Sequence, residues 1–175
     1  MPLDLIVHAD ALTPHRGILR CGASPYPCAL GAAGVTGTKR EGDQATPLGS
    51  YLLRRLFYRP DVFATPPVTR LPAAAITPST GWCDDPAHPE YNRLVTLPFT
   101  ASHERLWRDD ALYDLVVEIG YNDDPPRPGL GSAIFLHIAR PDFSGTQGCV
   151  ALRREDLLTV LAALEPGSRL VVKSV

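Results

Sequence analysis

The sequence lacks any long apolar run: no stretch of its 175 residues approaches the length that a membrane-spanning helix needs. An excess of one charge is also missing, because 17 Lys and Arg stand against 19 Asp and Glu, a formal net charge of −2. Basic residues never form a sustained run, so the composition does not indicate a nucleic-acid surface. The first residues carry no basic segment followed by an apolar one, so we expect no signal peptide.

Cysteine is scarce, and its placement limits what the thiols can do. Four cysteines in 175 residues are too few for a scaffold held together by disulfides. Cys21 and Cys28 could form one bridge, although their spacing is not diagnostic. Cys83 and His88 lie close in sequence but lack the paired CxxC or HxxxH spacing of a zinc site. We therefore expect no metal ion and no cofactor.

Frequent turn residues separate short apolar runs along the whole chain. The 18 Pro and 14 Gly are scattered, and no internal repeat or domain boundary is evident. This pattern predicts a single domain over residues 1–175 that is mainly β, in the β-rich α+β class. Runs of β-branched and aromatic residues predict the strands Leu3–Val7, Ile18–Cys21, Cys28–Ala33, Tyr51–Tyr58, Leu94–Leu97, Tyr113–Gly120, Ala133–Ile138 and Arg169–Lys173.

One helix is predicted near the C-terminus, where Leu157, Val160, Leu161 and Leu164 recur at helical spacing before Pro166 and a glycine. A shorter helical turn is predicted over residues 103–108. Residues 60–98 are dense in proline and are predicted to leave the core as a long excursion, in which GWCDDPAHPEYN is typical of a binding loop.

The segment FLHIARPDFSGTQGCV carries the chemistry of the sequence. A histidine within reach of Cys149 can convert its thiol into a nucleophilic thiolate, and His137 on a predicted strand is the candidate base. The backbone N–H groups of Gln147, Gly148 and Cys149 could stabilise an oxyanion. The structural alternative is a buried cysteine beside a core histidine. Histidine precedes cysteine here, an order opposite to that of papain-like peptidases.

A second polar stretch, GTKREGDQATPLGSY, lies between two predicted strands. Alone it is typical of a solvated hairpin loop. Together with the first segment it resembles the L,D-transpeptidase family (the YkuD-like catalytic domain), through KxEGDxxTPxGxY and a TxGCV preceded by a strand-borne histidine. The matching residues are Lys39, Glu41, Gly42, Asp43, Thr46, Pro47, Gly49, Tyr51, His137, Thr146, Gly148 and Cys149.

This resemblance implies a fold and a reaction. The fold would be a sandwich-like arrangement of mixed strands with one or two helices. Cys149 would attack the L,D bond of a peptidoglycan tetrapeptide stem, release D-Ala and pass the acyl group to an acceptor amine, forming a cross-link. His137 would be the base, oriented by the backbone carbonyl of Ile138, and carbapenems would acylate the same cysteine. The resemblance also implies roles in cell wall biogenesis and cell shape.

Further side chains are candidates for substrate binding: Thr146, Gln147, Arg153, Trp82, Asn92 and Tyr121. Ordinary loop packing, or solvent-facing charge for Arg153, is the alternative for each. Arg153 stands at the start of the predicted helix, where a positive charge is unfavourable for the helix dipole, so a stem-peptide carboxylate is a plausible partner.

The chain departs from many family members at two positions. Gln147 stands where they carry the histidine of SHGC, two residues before the cysteine, and Ala151 stands where they carry a basic residue. These departures leave the acceptor open. The same acyl-enzyme could be hydrolysed, as in an L,D-carboxypeptidase or an amidase, or the domain could be a non-catalytic wall-binding module. The resemblance places the protein in the periplasm or cell envelope, while the expected lack of a signal peptide leaves a cytoplasmic location open.

Overall fold

The computed structural model describes residues 1–175, which form fourteen strands and one helix. The strands are β1 Asp4–Ala9, β2 Arg16–Cys21, β3 Ser24–Ala29, β4 Val35–Thr36, β5 Thr46–Pro47, β6 Gly49–Tyr58, β7 Ala73–Ala75, β8 Thr80–Cys83, β9 Leu94–Thr96, β10 His103–Arg105, β11 Leu115–Ile119, β12 Phe135–Ile138, β13 Val150–Leu152 and β14 Arg169–Lys173; the helix is α1 Arg154–Leu161. The β-rich fold class with one helix is confirmed. No helix is long and apolar enough to cross a membrane.

The main sheet has nine strands in the order β11-β12-β13-β3-β2-β1-β14-β6-β7, with an additional pairing between β11 and β6. The long strand β6 makes that pairing: its first residues, 49–52, pair with β14, and residues 53–58 pair with β11. The sheet therefore curves back on itself. Its strands enclose one apolar core of 22 buried residues, to which β1, β6, β11, β12, β13 and α1 all contribute.

Strand β12, next to the site, uses both of its faces. On β12, Leu136 and Ile138 belong to the main core, whereas Phe135 belongs to a second buried cluster of nine residues that includes Cys149. All four residues of β12 are buried. Because side chains alternate across a strand, His137 lies on the same face as Phe135. The periodicity of FLHI thus directs the imidazole to the face where Cys149 lies.

Helix α1 closes the main core through Leu157, Val160 and Leu161. The helix predicted from apolar spacing is confirmed. Arg153 precedes it without a side-chain cap, and two acidic residues stand in the first turn, where they favour the positive end of the helix dipole.

Two predicted elements differ from the structure. Residues 103–105 are the strand β10, paired with β8, so the helical turn predicted over residues 103–108 is wrong; sheet pairing has overridden a weak local preference. Strand β3 begins at Ser24, not at Cys28, although Pro25 and Pro27 lie within it. At both prolines one edge of β3 is open, because β13 pairs with residues 28–29 alone and only β2 lies alongside. A proline is tolerated in a strand where its missing N–H would face an open edge, so neither proline costs a ladder hydrogen bond to β13.

The proline-rich segment is more structured than predicted. Within residues 60–98, β7 extends the main sheet, and β8 and β9 form a three-stranded sheet with β10. The cysteines are all free. In the hairpin of β2 and β3, Cys21 pairs with Ser24 and Cys28 pairs with Gly17, a register that keeps the two thiols apart.

Candidate active site

Neighbouring strands hold Cys149 and His137. Strands β12 and β13 pair in parallel, with Leu136 opposite Val150 and His137 opposite Ala151. Cys149 immediately precedes β13, and its sulfur accepts a hydrogen bond from the backbone N–H of Phe135 at 3.4 Å. The register therefore places the imidazole two residues further along the same face of the sheet. Both side chains line one cavity.

Thr146 shapes the turn that presents Cys149. Its hydroxyl donates to the carbonyl of Cys149 at 2.6 Å and accepts from the N–H of Gly148 at 3.1 Å. Backbone bonds anchor Thr146 itself to the 30–32 segment, with its N–H donating to Leu30 at 2.9 Å and its carbonyl accepting from Ala32 at 2.8 Å. Gly148 has φ +126°, a conformation that side chains rarely adopt. Thr146 and Gly148 thus fix the direction of the thiol.

The thiol of Cys149 is buried, at 5% exposure. Besides accepting the bond from Phe135, it donates to the carbonyl of Ala133 at 3.3 Å. Burial, with a smaller contribution from the nearby Glu104 carboxylate, raises the pKa of Cys149 to about 12. Cys149 is therefore a neutral thiol in the resting protein.

The imidazole of His137 is buried at 6% exposure and has a defined tautomer. Its Nδ1 lies 2.8 Å from the carbonyl oxygen of Ile138, the residue that the resemblance named. A carbonyl can only accept, so Nδ1 carries the proton and Nε2 carries the free lone pair. Burial lowers the pKa of His137 to about 4, and the bond to Ile138 offsets part of that shift. His137 is therefore neutral, with a basic nitrogen that makes no protein hydrogen bond.

The turn also offers backbone donors. The Gly148 N–H is already bonded to Thr146, whereas the N–H groups of Gln147 and Cys149 make no hydrogen bond within the protein. Free N–H groups next to a nucleophile are the donors that an oxyanion requires. Of the three predicted donors, Gln147 and Cys149 are the two that the structure leaves available.

The cavity has a volume of about 510 Å³ and a polar, charged lining. Glu41, Asp84 and Glu104 contribute carboxylates, and Arg108 and Arg140 contribute positive charge. One carboxylate oxygen of Asp84, Oδ1, is buried and has no hydrogen-bond partner. No group of three or more His, Cys, Asp or Glu is arranged to hold a metal ion. The lining suits a ligand that carries charges of both signs.

The predicted substrate-binding residues fall into two groups. Thr146 and Gln147 line the cavity, whereas Trp82, Asn92, Tyr121 and Arg153 do not. Trp82 is buried behind the cavity, stacked edge-on against Phe135 with ring centroids 5.2 Å apart, and its Nε1 donates to Asn92 at 2.9 Å.

The other three residues have structural partners as well. Asn92 also binds the N–H of Ala133 at 3.0 Å, so it supports the segment that leads into β12. The hydroxyl of Tyr121 donates to the carbonyl of Leu130 at 2.5 Å. Arg153 lies over the ring of Phe143, 5.3 Å from its centroid, beside a separate groove.

The polar loop of residues 39–43 reaches the cavity through its acidic side chain. Glu41 accepts hydrogen bonds from the hydroxyls of Tyr91 and Ser132, the latter at 2.8 Å. Lys39 is nearly buried and is paired with Asp43, which also accepts from the N–H of Ala45 at 2.9 Å. The second motif is thus an internally bonded loop that forms one wall of the site.

Several cavity residues escaped sequence reasoning, among them Glu104 and Tyr113. The Tyr113 ring lies 5.1 Å from the His137 ring, and its hydroxyl donates to the Glu104 carboxylate. Burial raises the pKa of Glu104 to about 7, with the bond from Tyr113 opposing that shift. Neither residue belongs to a motif, and no sequence signal marked either of them.

Comparison with known proteins identifies the relatives of this chain. Residues 22–172 match the sequence profile named YkuD, the L,D-transpeptidase catalytic domain. No curated protein sequence matches the chain.

Among solved structures, L,D-transpeptidase 1 of Mycobacterium tuberculosis is similar at 13% identity and a TM-score of 0.40, over 97% of this chain and 62% of that one. L,D-transpeptidase 3 of the same organism, in complex with a faropenem-derived adduct, gives 14% and 0.44, over 98% and 60%. The helical cell shape determining protein Pgp2 of Campylobacter jejuni gives 17% and 0.39, over 99% and 48%. The chain thus spans less than two thirds of each of these structures.

Proposed function

The chain belongs to the L,D-transpeptidase family defined by the YkuD catalytic domain, and we propose that it is a cysteine acyltransferase acting on peptidoglycan stem peptides. In this proposal Cys149 attacks the carbonyl of the L,D bond in a donor tetrapeptide and forms an acyl-enzyme. The terminal D-Ala leaves as a free amino acid. An amine of a second stem then attacks the thioester, restores the thiol and yields the cross-link.

The hydrogen bond between His137 Nδ1 and the Ile138 carbonyl carries this proposal. It selects the tautomer whose Nε2 can accept a proton, in a cavity that also contains the thiol of Cys149. A wall-binding module would have no use for an oriented basic nitrogen beside a cysteine. The arrangement therefore favours catalysis over binding alone.

Burial sets the order of proton transfer. With the pKa of Cys149 raised to about 12 and that of His137 lowered to about 4, the proton stays on sulfur in the resting state. His137 then takes the proton as the sulfur attacks the carbonyl, and the developing oxyanion is held by the free N–H groups of Gln147 and Cys149. The protonated imidazole gives its proton to the leaving amine of D-Ala.

The charges of the cavity suit both substrates. Arg108 and Arg140 can bind the carboxylates of the donor stem, and the carboxylates of Glu41 and Asp84 can bind the ammonium group of the acceptor before it loses its proton. Gln147 lines the cavity where many family members carry a histidine, and it contributes a neutral amide. Because peptidoglycan lies outside the cytoplasmic membrane, we place the action of this protein in the periplasm or cell envelope.

The proposal is tested by incubating the protein with a disaccharide-tetrapeptide and analysing the products by mass spectrometry. We expect free D-Ala and a cross-linked dimer. Cys149→Ala should lower both products by roughly a thousandfold or more, and Cys21→Ala, a matched control outside the cavity, should retain them. Tripeptide and D-Ala without dimer would overturn acyl transfer to an amine and assign hydrolysis.

A second measurement tests the nucleophile without any acceptor. Incubation with a carbapenem should add the mass of one inhibitor to the wild-type protein, and this adduct should be missing from Cys149→Ala. A wild-type protein that neither forms the adduct nor releases D-Ala would contradict the enzymatic proposal and favour a wall-binding role.

A further inference from the structure

Three side chains that titrate meet at one wall of the cavity: Glu104 on β10, Tyr113 just before β11, and Cys149 just before β13. The hydroxyl of Tyr113 donates to the Glu104 carboxylate. The same hydroxyl offsets part of the rise in the pKa of Cys149 that burial causes, as a hydrogen-bond donor facing the sulfur does. Tyr113 and Cys149 also belong to one buried apolar cluster and line the same cavity, so bulk water does not screen the interaction between them.

A phenol has a single hydrogen to donate, and in this structure the Glu104 carboxylate accepts it. We propose that Tyr113 is a further residue of the cysteine site and that Glu104 controls it: an ionised Glu104 retains the tyrosine hydrogen, whereas a neutral Glu104 releases it to the Cys149 sulfur. Glu104 is then a positioning residue, which acts on the nucleophile through Tyr113. The inference rests on Cys149 being the nucleophile, but not on which donor or acceptor it serves.

Two effects make the ionised carboxylate inhibitory. Its charge lies near the sulfur and disfavours a second negative charge there. It also holds the hydrogen that the thiolate would otherwise accept. When Glu104 is neutral, the charge is gone and the carboxyl O–H can itself donate to the tyrosine oxygen, so the tyrosine hydrogen turns to sulfur. His137 Nε2 takes the thiol proton, and no proton passes between Glu104 and Cys149.

The groups around Glu104 allow it to change charge near neutral pH. Burial raises its pKa to about 7, opposed by Tyr113 and Arg108. The guanidinium of Arg108 lies 4.9 Å from the Tyr113 ring centroid and is itself paired with Asp110. The remaining titratable or charged groups that face this wall are Asp84, Glu41, His103, Lys39, His137 and Arg140.

The test is the rate at which iodoacetamide alkylates Cys149 between pH 5.5 and 8.5, followed by peptide mass spectrometry so that Cys21, Cys28 and Cys83 are counted separately. In the wild type the rate should rise with pH, level off near pH 7 as Glu104 ionises, and rise again. Glu104→Gln, which stays neutral, should rise steadily. At pH 5.5 the two rates should agree, and at pH 8.5 the variant should be roughly ten- to thirtyfold faster, because few wild-type molecules keep Glu104 neutral there.

Two further variants separate this role from a structural one. Glu155→Gln, at an exposed helix position, should show the wild-type profile. Tyr113→Phe has no hydroxyl hydrogen to share. In that background the acceleration that Glu104→Gln produces at pH 8.5 should therefore be several-fold smaller than in the wild-type background.

An acceleration by Glu104→Gln that is the same at pH 5.5 and 8.5 would overturn the inference, and so would an acceleration that Tyr113→Phe leaves unchanged. If Glu104→Gln fails to fold, the wild-type profile alone decides, because an alkylation rate that rises without levelling near pH 7 contradicts the control by Glu104. A protein whose Cys149 is not alkylated at all would instead count against the proposed function.

Discussion

Replacing Gly148 with alanine tests whether the turn before Cys149 requires glycine. At φ +126° an L-residue is strained, which costs about 1–3 kcal/mol. A Cβ at this position would also lie 2.9 Å from the carbonyl oxygen of Ala45 and 3.1 Å from Cδ1 of Ile134. The oxygen is backbone and cannot rotate away, so the close contact adds an overpacking cost of about 1–3 kcal/mol. The expected total loss in the free energy of unfolding is about 2–6 kcal/mol.

Gly129→Ala is the matched control for this prediction. Gly129 also has a positive φ, +80°, but a Cβ there would have nothing within 4 Å. Its expected loss is about 1–2 kcal/mol, from backbone strain alone. Urea denaturation gives the unfolding free energy of each variant, and the additional loss in Gly148→Ala measures the contact with Ala45 and Ile134 together with any greater strain at φ +126°. Equal losses in the two variants would refute the reasoning.

The strain at Gly148 should also be visible in the chemistry. Moving the turn displaces the adjacent thiol and the free N–H of Cys149, so the rate of carbapenem adduct formation should fall roughly tenfold or more in Gly148→Ala. Gly129→Ala should keep the wild-type rate. A Gly148→Ala protein that is destabilised yet acylated at the normal rate would show that the turn serves stability and not the alignment of Cys149.

Two more substitutions test the support around the site. Asn92→Ala leaves two buried donors, Trp82 Nε1–H and Ala133 N–H, without an acceptor. We therefore expect the free energy of unfolding, measured by urea denaturation, to fall by about 2–5 kcal/mol. A fall below about 1 kcal/mol would contradict this structural role of Asn92. His137→Gln tests the lowered pKa of the buried imidazole. His137 takes up a proton near pH 6.5 in the unfolded chain but only near pH 4 in the folded protein. Lowering the pH through that window therefore favours the unfolded chain, and wild-type stability should fall by about 3 kcal/mol in total. The variant lacks this loss, so its stability relative to wild type should improve between pH 7 and pH 4.5, and an unchanged difference would contradict the shift.

Local sequence patterns predicted the strands whose side chains alternate and the helix whose apolar residues recur at helical spacing. Val116 to Ile119 and Phe135 to Ile138 are rich in residues that suit a buried sheet, and both segments are strands. The pattern failed at His103–Arg105, where pairing with β8 decides the conformation. It also failed at Pro27, which lies within a strand. Whether a strand can accept a proline depends on whether a neighbouring strand needs its N–H group, and that neighbour can be distant in sequence.

For the site, the sequence by itself determined the candidate nucleophile, the candidate base and the turn between them. Cys149 and His137 are twelve positions apart by their numbering, so a single loop can bring both groups together. The parallel pairing of β12 and β13, which the structure adds, places them on one face. The glycine before the cysteine and the threonine two residues earlier are local features of the same loop, so they too could be read directly.

Only the tertiary structure decided the surroundings that set the chemistry of this pair. Glu104 and Tyr113 reach the cavity from β10 and from the segment before β11, elements whose positions depend on sheet pairing and not on any local pattern. Burial is likewise a property of the whole fold, and it is the main cause of the raised pKa of Cys149 and the lowered pKa of His137. The residue types specify which groups can react, whereas packing between distant segments specifies which of them are charged and which neighbours they share.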